Sequence, residues 1–528
     1  MRSSATWVGV MAVTLAACGG SDGAPGATGA TGQGTAGPAG PAGPAGSSTN
    51  ADGGTSAAAR PTHAPQGVSF ADIDPTRTRI QGSIFLHKAA DESDVTSYAV
   101  YYGSSATKKL FLTPIFVAPA GADVSYPIDL DPPPPAATNL IAFSQNAAGE
   151  MATGVASPFH DGVPTAVDIS AGTGTNSGYA PIAALDAANG KLLVVTDDNS
   201  NSDKPSLFRC NLDGTSCTHT DISSGQAAGS GLAPSIAVDA ANGKLLVVTD
   251  DNSSSDKPSL FRCNLDGTSC THTDISAGQT TGSGHSPSIA VDATNGKLLV
   301  VTEDLSNSTK PSLFRCNLDG SSCSHTDISV AAGTGSGYSP SIAIDALNDK
   351  LLVATEDASN AFKLSLFRCN LDGTSCSYVD ISSGSGDNSG LTPSLAIDAV
   401  NGKLLVATQD YSNGGGPSLF RCNLDGTSCT HTDISAGHAN SGQYPSLGID
   451  AVNGKLLVVT GDASNAYKPS LFRCNLDGTS CSAFDLSAGQ GAGSGLGARI
   501  VVNAATNQFL VVANHGANGH KPGLFLLQ

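Results

Sequence analysis

Most of the chain is one short pattern copied with few changes, and a repeat of this length restricts the fold more than any other feature. The segment Cys-Asn-Leu-Asp-Gly, or its close variant, begins at Cys210, Cys263, Cys316, Cys369, Cys422 and Cys474, so the unit recurs every 53 residues and, at its last step, after 52. Each unit holds four runs of strand length. In the second unit they are residues 234–239, 244–249, 259–263 and 270–275, rich in Val, Ile, Leu and Thr and bounded by Asn-Gly and Asp-Gly turns. We name them strands a, b, c and d. Four antiparallel strands with a period near fifty predict the blade of a β-propeller, whereas a β-solenoid would use shorter units.

Counting the copies predicts the size of the ring. Strand b starts at Lys191, Lys244, Lys297, Lys350, Lys403, Lys455 and Gln508, and strand c also occurs seven times, the last as residues 523–527. The seventh unit has no strand d after it. A spare one precedes the first unit at residues 163–170, where Asp168-Ile169-Ser170 matches the repeated Asp-Ile-Ser. The expected fold is therefore all-β: a seven-bladed β-propeller over residues 163–528, with an N-terminal strand completing the last blade. Closure of this kind removes the free sheet edges that invite aggregation.

The cysteines test this register. Six Cys-x6-Cys pairs occur: Cys210/Cys217, Cys263/Cys270, Cys316/Cys323, Cys369/Cys376, Cys422/Cys429 and Cys474/Cys481. Asp-Gly or Asp-Gly-like residues lie between the members of each pair, the signal of a tight hairpin, and a two-residue loop would set each pair directly opposite on strands c and d. The closing blade carries Leu527 and Pro164 at these positions, so both partners are missing together. Disulfides are expected. Zinc is the rival, but it usually needs four ligands, and this spacing with no fixed His is a poor zinc motif.

The unit resembles the YWTD repeats of the low-density-lipoprotein-receptor family in the run from Asp239 to Lys244, in Thr249-Asp250 and in Asn264-Leu265-Asp266-Gly267. Val247-Val248 replaces the aromatic pair of that motif, the cysteines are extra, and seven units stand in place of six. The resemblance implies a propeller and transfers no binding residues. The Asp-Gly turns also resemble the Asp-boxes of sialidase propellers, without the Trp usual there.

Strand direction alternates, so the tight, nearly invariant a–b and c–d turns share one face of the ring. The longer b–c and d–a loops share the other and vary. Variable loops on a repeated scaffold are a common seat of binding, although they can also simply drift. Two residues before the expected start of strand a the units carry Tyr179, Leu232, His285, Tyr338, Leu391, Gln443 and Leu496, with Tyr444 beside the sixth. These side chains are expected to circle the channel mouth, either as a sugar or peptide site or as a plug. An Asp-x-Ser recurs in the b–c loops at Asp198, Asp251, Asp304, Asp357, Asp410 and Asp462. Its oxygens could hold calcium or cap their own turn. Arg209, Arg262, Arg315, Arg368, Arg421 and Arg473 recur beside the first Cys of each pair and are expected to pair with a carboxylate such as the Asp of strand a. His219, His272, His325 and His431 recur on strand d, so none stands out as a catalytic base. No unique nucleophile–base–acid set and no phosphate-binding glycine loop is visible, and an enzyme is not expected. No cofactor is expected apart from that calcium.

The N-terminal third reads differently. Residues 5–13 are apolar after Arg2, and Leu15-Ala16-Ala17-Cys18 follows. The run is too short to span a bilayer and reads as a signal peptide over 1–17. Its end resembles the lipobox of bacterial lipoproteins, which implies lipidation at Cys18. Gly19 at the next position implies delivery to the outer membrane or cell surface. Glycine then recurs every third residue over most of 23–46, a collagen-like pattern, within a tether over 18–63. The tether reads as a spacer, with a trimer as the alternative to a monomer. Residues 64–161 alternate apolar and polar in 67–70, 80–86 and 98–102, as in an all-β sandwich. The stretch 139–150, with its Asn-x-x-Gly-Glu turn, resembles a late strand of fibronectin type III domains.

With 13% charged residues and a net charge of −19, the chain lacks the basic face that nucleic acid requires. The expected function is a non-catalytic lipoprotein that displays its propeller for recognition or adhesion to a glycan or protein. The alternatives are a structural envelope protein and a secreted polysaccharide hydrolase or lyase.

Overall fold

The computed structural model describes residues 59–72, 80–159, 165–329, 332–451, 453–504 and 508–527. The leader, Cys18, the collagen-like tract and Pro164 lie outside them. Among the described residues the only helical pieces are seven single 3-10 turns; every other element is a strand. Among the described residues no helix is long and apolar enough to cross a membrane.

Two sheets form the N-terminal body. Gly67–Asp72, Ile80–His87 and Val124–Leu130 make a three-stranded sheet, and Ser97–Ser105 with Asn139–Asn146 form the middle of a six-stranded one. Alternation decides what each strand buries. Tyr98, Val100, Leu140 and Ala142 face Ile84 and Leu86 across the main core. The residues between them, Ala99, Tyr101, Ile141 and Phe143, form a smaller cluster of their own. Lys109 Nζ lies 3.4 Å from the centre of the Tyr101 ring and pairs with Glu150.

Residues 165–527 form seven four-stranded antiparallel sheets, each in the order a-b-c-d. Sheet 1 comprises Tyr179–Asp186, Lys191–Asp198, Lys204–Asn211 and Thr218–Asp221; the next five follow in sequence. Sheet 7 takes its fourth strand from the other end, with Thr165–Asp168 paired to Lys521–Leu527 in the register Thr165↔Leu526. Strand a of each sheet contacts strand a of the next, and Leu496–Asn503 returns to contact Tyr179–Asp186. The seven inner strands therefore close a propeller-like ring.

The unbroken apolar run of strand b follows from this arrangement. Each sheet is covered on both faces, so successive side chains of a middle strand are all buried. Leu193 and Val195 of sheet 1 pack against Ile236, Leu245, Val247 and Phe261 of sheet 2, while Leu192 and Val194 pack against Val512 and Leu524 of sheet 7.

Three local expectations change. Strand a begins two residues early, at the ring residues themselves, and a register shift follows, as between Tyr179 and Ile182. The residue after each ring position is left-handed, with φ of 46° at Ala180, 46° at Thr392 and 49° at Tyr444. The c–d hairpin is also not a two-residue loop. The Asn211 N–H donates to Thr215 O, and Gly214 N–H donates back to Asn211 O with φ of 77° at Gly214. This is a Leu-Asp-Gly loop closed by a glycine bulge.

The third change concerns the second cysteine of each pair. All six expected disulfides are present: Cys210–Cys217, Cys263–Cys270, Cys316–Cys323, Cys369–Cys376, Cys422–Cys429 and Cys474–Cys481. The first member of each lies on strand c and is buried. Cys217, Cys270, Cys323, Cys376, Cys429 and Cys481, expected on strand d, instead stand one residue before it and are half-buried. The cause is the serine that precedes each of them. Ser216, Ser269, Ser322, Ser375, Ser428 and Ser480 are left-handed, with φ of 52° at Ser216, so ladder pairing resumes only at the residue after the cysteine, as in Arg209↔Thr218. The two cysteines still face one another across the hairpin, with Cα atoms 4.1 Å apart in Cys210–Cys217 and 4.0 Å apart in Cys263–Cys270.

Candidate ligand site at the channel mouth

The b–c and d–a loops differ in sequence, yet their backbones are tied together in the same way at all seven junctions. Gly229 N–H donates to Ser202 O, Gly231 N–H to Asp203 O, and Asn252 N–H to Gly229 O. The pattern recurs around the ring and closes with Gly178 N–H to His520 O. A Cβ on Gly231 would lie 2.3 Å from Pro205 N, and equivalent glycines leave as little room. These loops share one backbone frame around the ring. What varies is which side chains they carry.

The recurring polar residues hold this frame. The Asp198 carboxylate caps the 3-10 turn Asn199–Asn201 by accepting the Asn201 N–H, and it also accepts Ser200 Oγ at 2.5 Å and Ser206 Oγ at 2.9 Å. Asp251, Asp304, Asp410 and Asp462 cap in the same way, and Asp357 accepts Ser359 and Ser365. Strand d adds a further partner: His431 Nε2 lies 2.9 Å from Asp410, His272 3.3 Å from Asp251, and His219 and His325 each 3.5 Å from Asp198 and Asp304. Burial opposes ionisation of Asp198, but the hydrogen bonds from His219, Ser200 and Ser206 outweigh it and hold its pKa below the usual carboxylate range. Five of the six calcium candidates thus cap their turns, and all six accept hydrogen bonds from two serines.

The repeated arginines depart from expectation. Arg209 Nη2 approaches Asp186 Oδ2 at 3.8 Å, the one such arginine ion pair among the described residues. The strand a carboxylates are taken instead by the a–b turn. Asp239 accepts the Asn242 N–H at 3.2 Å and its Nδ2 at 2.8 Å, and Asp292, Asp345, Asp398 and Asp450 repeat this with Asn295, Asn348, Asn401 and Asn453.

The ring residues Tyr179, Leu232, His285, Tyr338, Leu391, Gln443 and Leu496 all lie at the start of an inner strand, half-buried, and Tyr444 is half-buried beside them. At the seam of sheets 2 and 3, Asp250 and Asp256 of sheet 2 lie beside His285 of sheet 3, with His285 Nδ1 2.9 Å from Asp250 Oδ2. At the seam of sheets 7 and 1, His520 stacks on Tyr179 at 5.1 Å and bonds Asn514 at 3.0 Å. Tyr338 packs against Phe362 with ring centres 6.3 Å apart.

Strand b contributes a second ring, whose four acidic members stand out in the sequence only as the residues before Asp-x-Ser that double its charge. Cross-strand pairing sets Asp197, Asp250, Glu303 and Glu356 opposite Tyr179, Leu232, His285 and Tyr338, and then Gln409, Gly461 and Asn514 opposite Leu391, Gln443 and Leu496. Four consecutive sheets thus present a carboxyl group and the other three do not. Burial pushes Asp197 up to about 8, with Asp203 and Asp198 adding repulsion. It pushes Glu303 and Glu356 up to about 7, against the pull of His285 on the first and of the Thr392 N–H on the second. On the far side, Arg499 takes a place that Ser235, Ser288, Ser341, Ser394 and Ser446 hold in five other sheets. It is buried, donates to Tyr444 O at 3.3 Å, and leaves Nε without a partner. The signal for both features was available: these are the inner-strand and strand b positions at which near-identical units stop being identical.

No family model matches the chain, and no curated protein matches it. Among solved structures it is similar to the BP39L lectin from Burkholderia pseudomallei, at 9% identity over 67% of this chain and 97% of the lectin, with a TM-score of 0.50. It is also similar to an ancestral GH74 enzyme, at 12% identity over 84% of this chain and 63% of that one, with a TM-score of 0.44. An exotype rhamnogalacturonan lyase matches at 11% identity over 88% of this chain and 90% of its own, with a TM-score of 0.41. At such identities the likeness to the lectin is one of fold alone, an all-β, propeller-like ring of repeated four-stranded sheets.

Proposed function

We propose that this chain is an exported, lipid-anchored protein in which a fibronectin type III-like sandwich carries a seven-bladed β-propeller, and that the propeller binds a glycan at its channel mouth without chemistry. The observation that carries this reading is the contrast at the seams: one backbone, seven times, with different side chains. A scaffold role alone gives no reason for copies to diverge there while their turns, caps and cores stay the same. Half-buried aromatic rings and carboxyl groups side by side suit a hydroxyl-rich ligand, whose apolar faces stack and whose hydroxyls donate.

The test is a glycan array probed with the mature chain and with Tyr179→Leu/Tyr338→Leu. Leu already stands at this ring position in three other sheets, so the fold tolerates it. Selective binding by the parent that the double variant loses is the expected result. Binding that survives the substitutions removes the mouth as the site, and no binding at all favours a protein partner or a structural envelope role. A hydrolase is the second reading, favoured by the raised Glu303 and Glu356, because a carboxyl protonated near neutrality can act as a general acid. Release of reducing ends from a polysaccharide, abolished by Glu303→Gln or Glu356→Gln, would establish it.

A further inference from the structure

One seam differs in kind from the other six. Asp250 and Asp256 of sheet 2 meet His285 of sheet 3 so that one ligand atom from each lies within 4.8 Å of the other two. Asp250 is 5% exposed, and its Oδ1 has no hydrogen-bond partner. Its Oδ2 already faces His285 Nδ1 at 2.9 Å. A buried carboxylate oxygen left unpartnered costs free energy unless a cation or donor meets it. Glu303 stands opposite His285 on the neighbouring strand.

The repeats supply their own control. The positions of Asp250, Asp256 and His285 hold Asp197, Asp203 and Leu232 at the first seam, Glu303, Thr309 and Tyr338 at the third, and Asn514, His520 and Tyr179 at the last. Fold and loop ties are the same at each, so the ring does not require two aspartates and a histidine at this place. From this we infer that Asp250, Asp256 and His285 form a binding site for a single divalent transition-metal ion, of which zinc is the representative. Imidazole with carboxylate oxygens suits zinc, and three protein ligands leave a fourth position for water or a ligand group. Donors bound at about 2.0–2.2 Å from one ion sit somewhat more than 3 Å apart, a small adjustment from the present geometry. Asp256 and His285 are half-buried, so solvent reaches two of the three ligands.

The experiment uses the untagged mature chain, stripped with chelator and dialysed against micromolar zinc, with bound metal counted by elemental analysis. One equivalent is expected for the parent. Asp250→Asn, Asp256→Thr and His285→Leu each place a residue that another sheet carries at the same position, so folding should survive, and each is expected to lose the bound ion. Leu232→His completes the same trio with Asp197 and Asp203 at the first seam and is expected to bind a second equivalent. No zinc on the parent, or an equivalent retained by His285→Leu, overturns the site. The count needs no glycan, so its failure is distinct from failure of the proposed glycan binding.

Discussion

Asp197 is a buried carboxyl group whose Oδ1 has no hydrogen-bond partner among the described residues, and burial pushes its pKa up to about 8 against an ordinary value of 3.8. The consequence for stability has a definite sign. Between those two values the folded chain holds a proton that the unfolded chain releases, so the stability that goes with the neutral group is complete below the ordinary pKa and is lost as pH rises through the folded one. The loss is at most about 1.4 kcal/mol per pH unit for one group. Asp197→Asn mimics the neutral form, and the seventh sheet already carries Asn514 at this place. Urea melts at pH 4.5 and pH 8 should show the parent losing stability on the alkaline side and the variant losing less. Glu303 and Glu356 act in the same direction in both proteins, so the difference between the two isolates Asp197; equal losses would mean that the group is solvated or paired.

At the scale of an element, the unit that matters is the seam, and its tightest point is a glycine. A Cβ at Gly231 would meet Pro205 N at 2.3 Å, backbone that cannot move aside without breaking the loop ties. Gly243, in the a–b turn, has φ of 60° and nothing within 4 Å of an added Cβ. Gly231→Ala should therefore cost on the order of 3 kcal/mol or more, and Gly243→Ala only the left-handed penalty of about 1–2 kcal/mol; urea melts rank the two, and the reverse order would mean that the loops do not lock the ring. Strands a to d were legible in the sequence because each copy repeats the same apolar runs and turn residues. The seam was not, because its members lie far apart along the chain. His285 meets Asp250 only after the d–a loop has crossed to the next sheet, and Asp197 meets Tyr179 only through strand pairing. Periodicity identified the ring residues and the acidic positions of strand b, while the fact that the two face each other needed the cross-strand register. The Arg–Asp pairing reaches ion-pair distance once among the described residues, at Arg209–Asp186, although Asn189 holds that carboxylate just as the other a–b turns hold theirs.

The whole molecule depends on how its two ends meet. Thr165–Asp168 is a four-residue strand, but it supplies the outer strand of sheet 7, and the Asn518 amide binds Asp168 across the junction at 2.8 Å. The closing sheet lacks the disulfide that spans the c–d hairpin in the other six, so this short strand is held by backbone pairing, that amide and the packing of Ile169 and Val167 on Leu524 and Leu526. Two truncations separate its contribution from that of the sandwich. A chain begun at residue 160 keeps the strand and should melt as a closed ring, since the sandwich has its own core. One begun at residue 171 exposes the edge of Lys521–Leu527, the kind of unpaired strand that recruits other chains. It should melt earlier and form larger species on size-exclusion chromatography, with sheet 7 the first to exchange its amide hydrogens. If both truncations melt alike and remain monomeric, closure by the N-terminal strand contributes nothing, and stability resides in the six disulfide-bonded sheets as neighbouring pairs, as it does in an open solenoid.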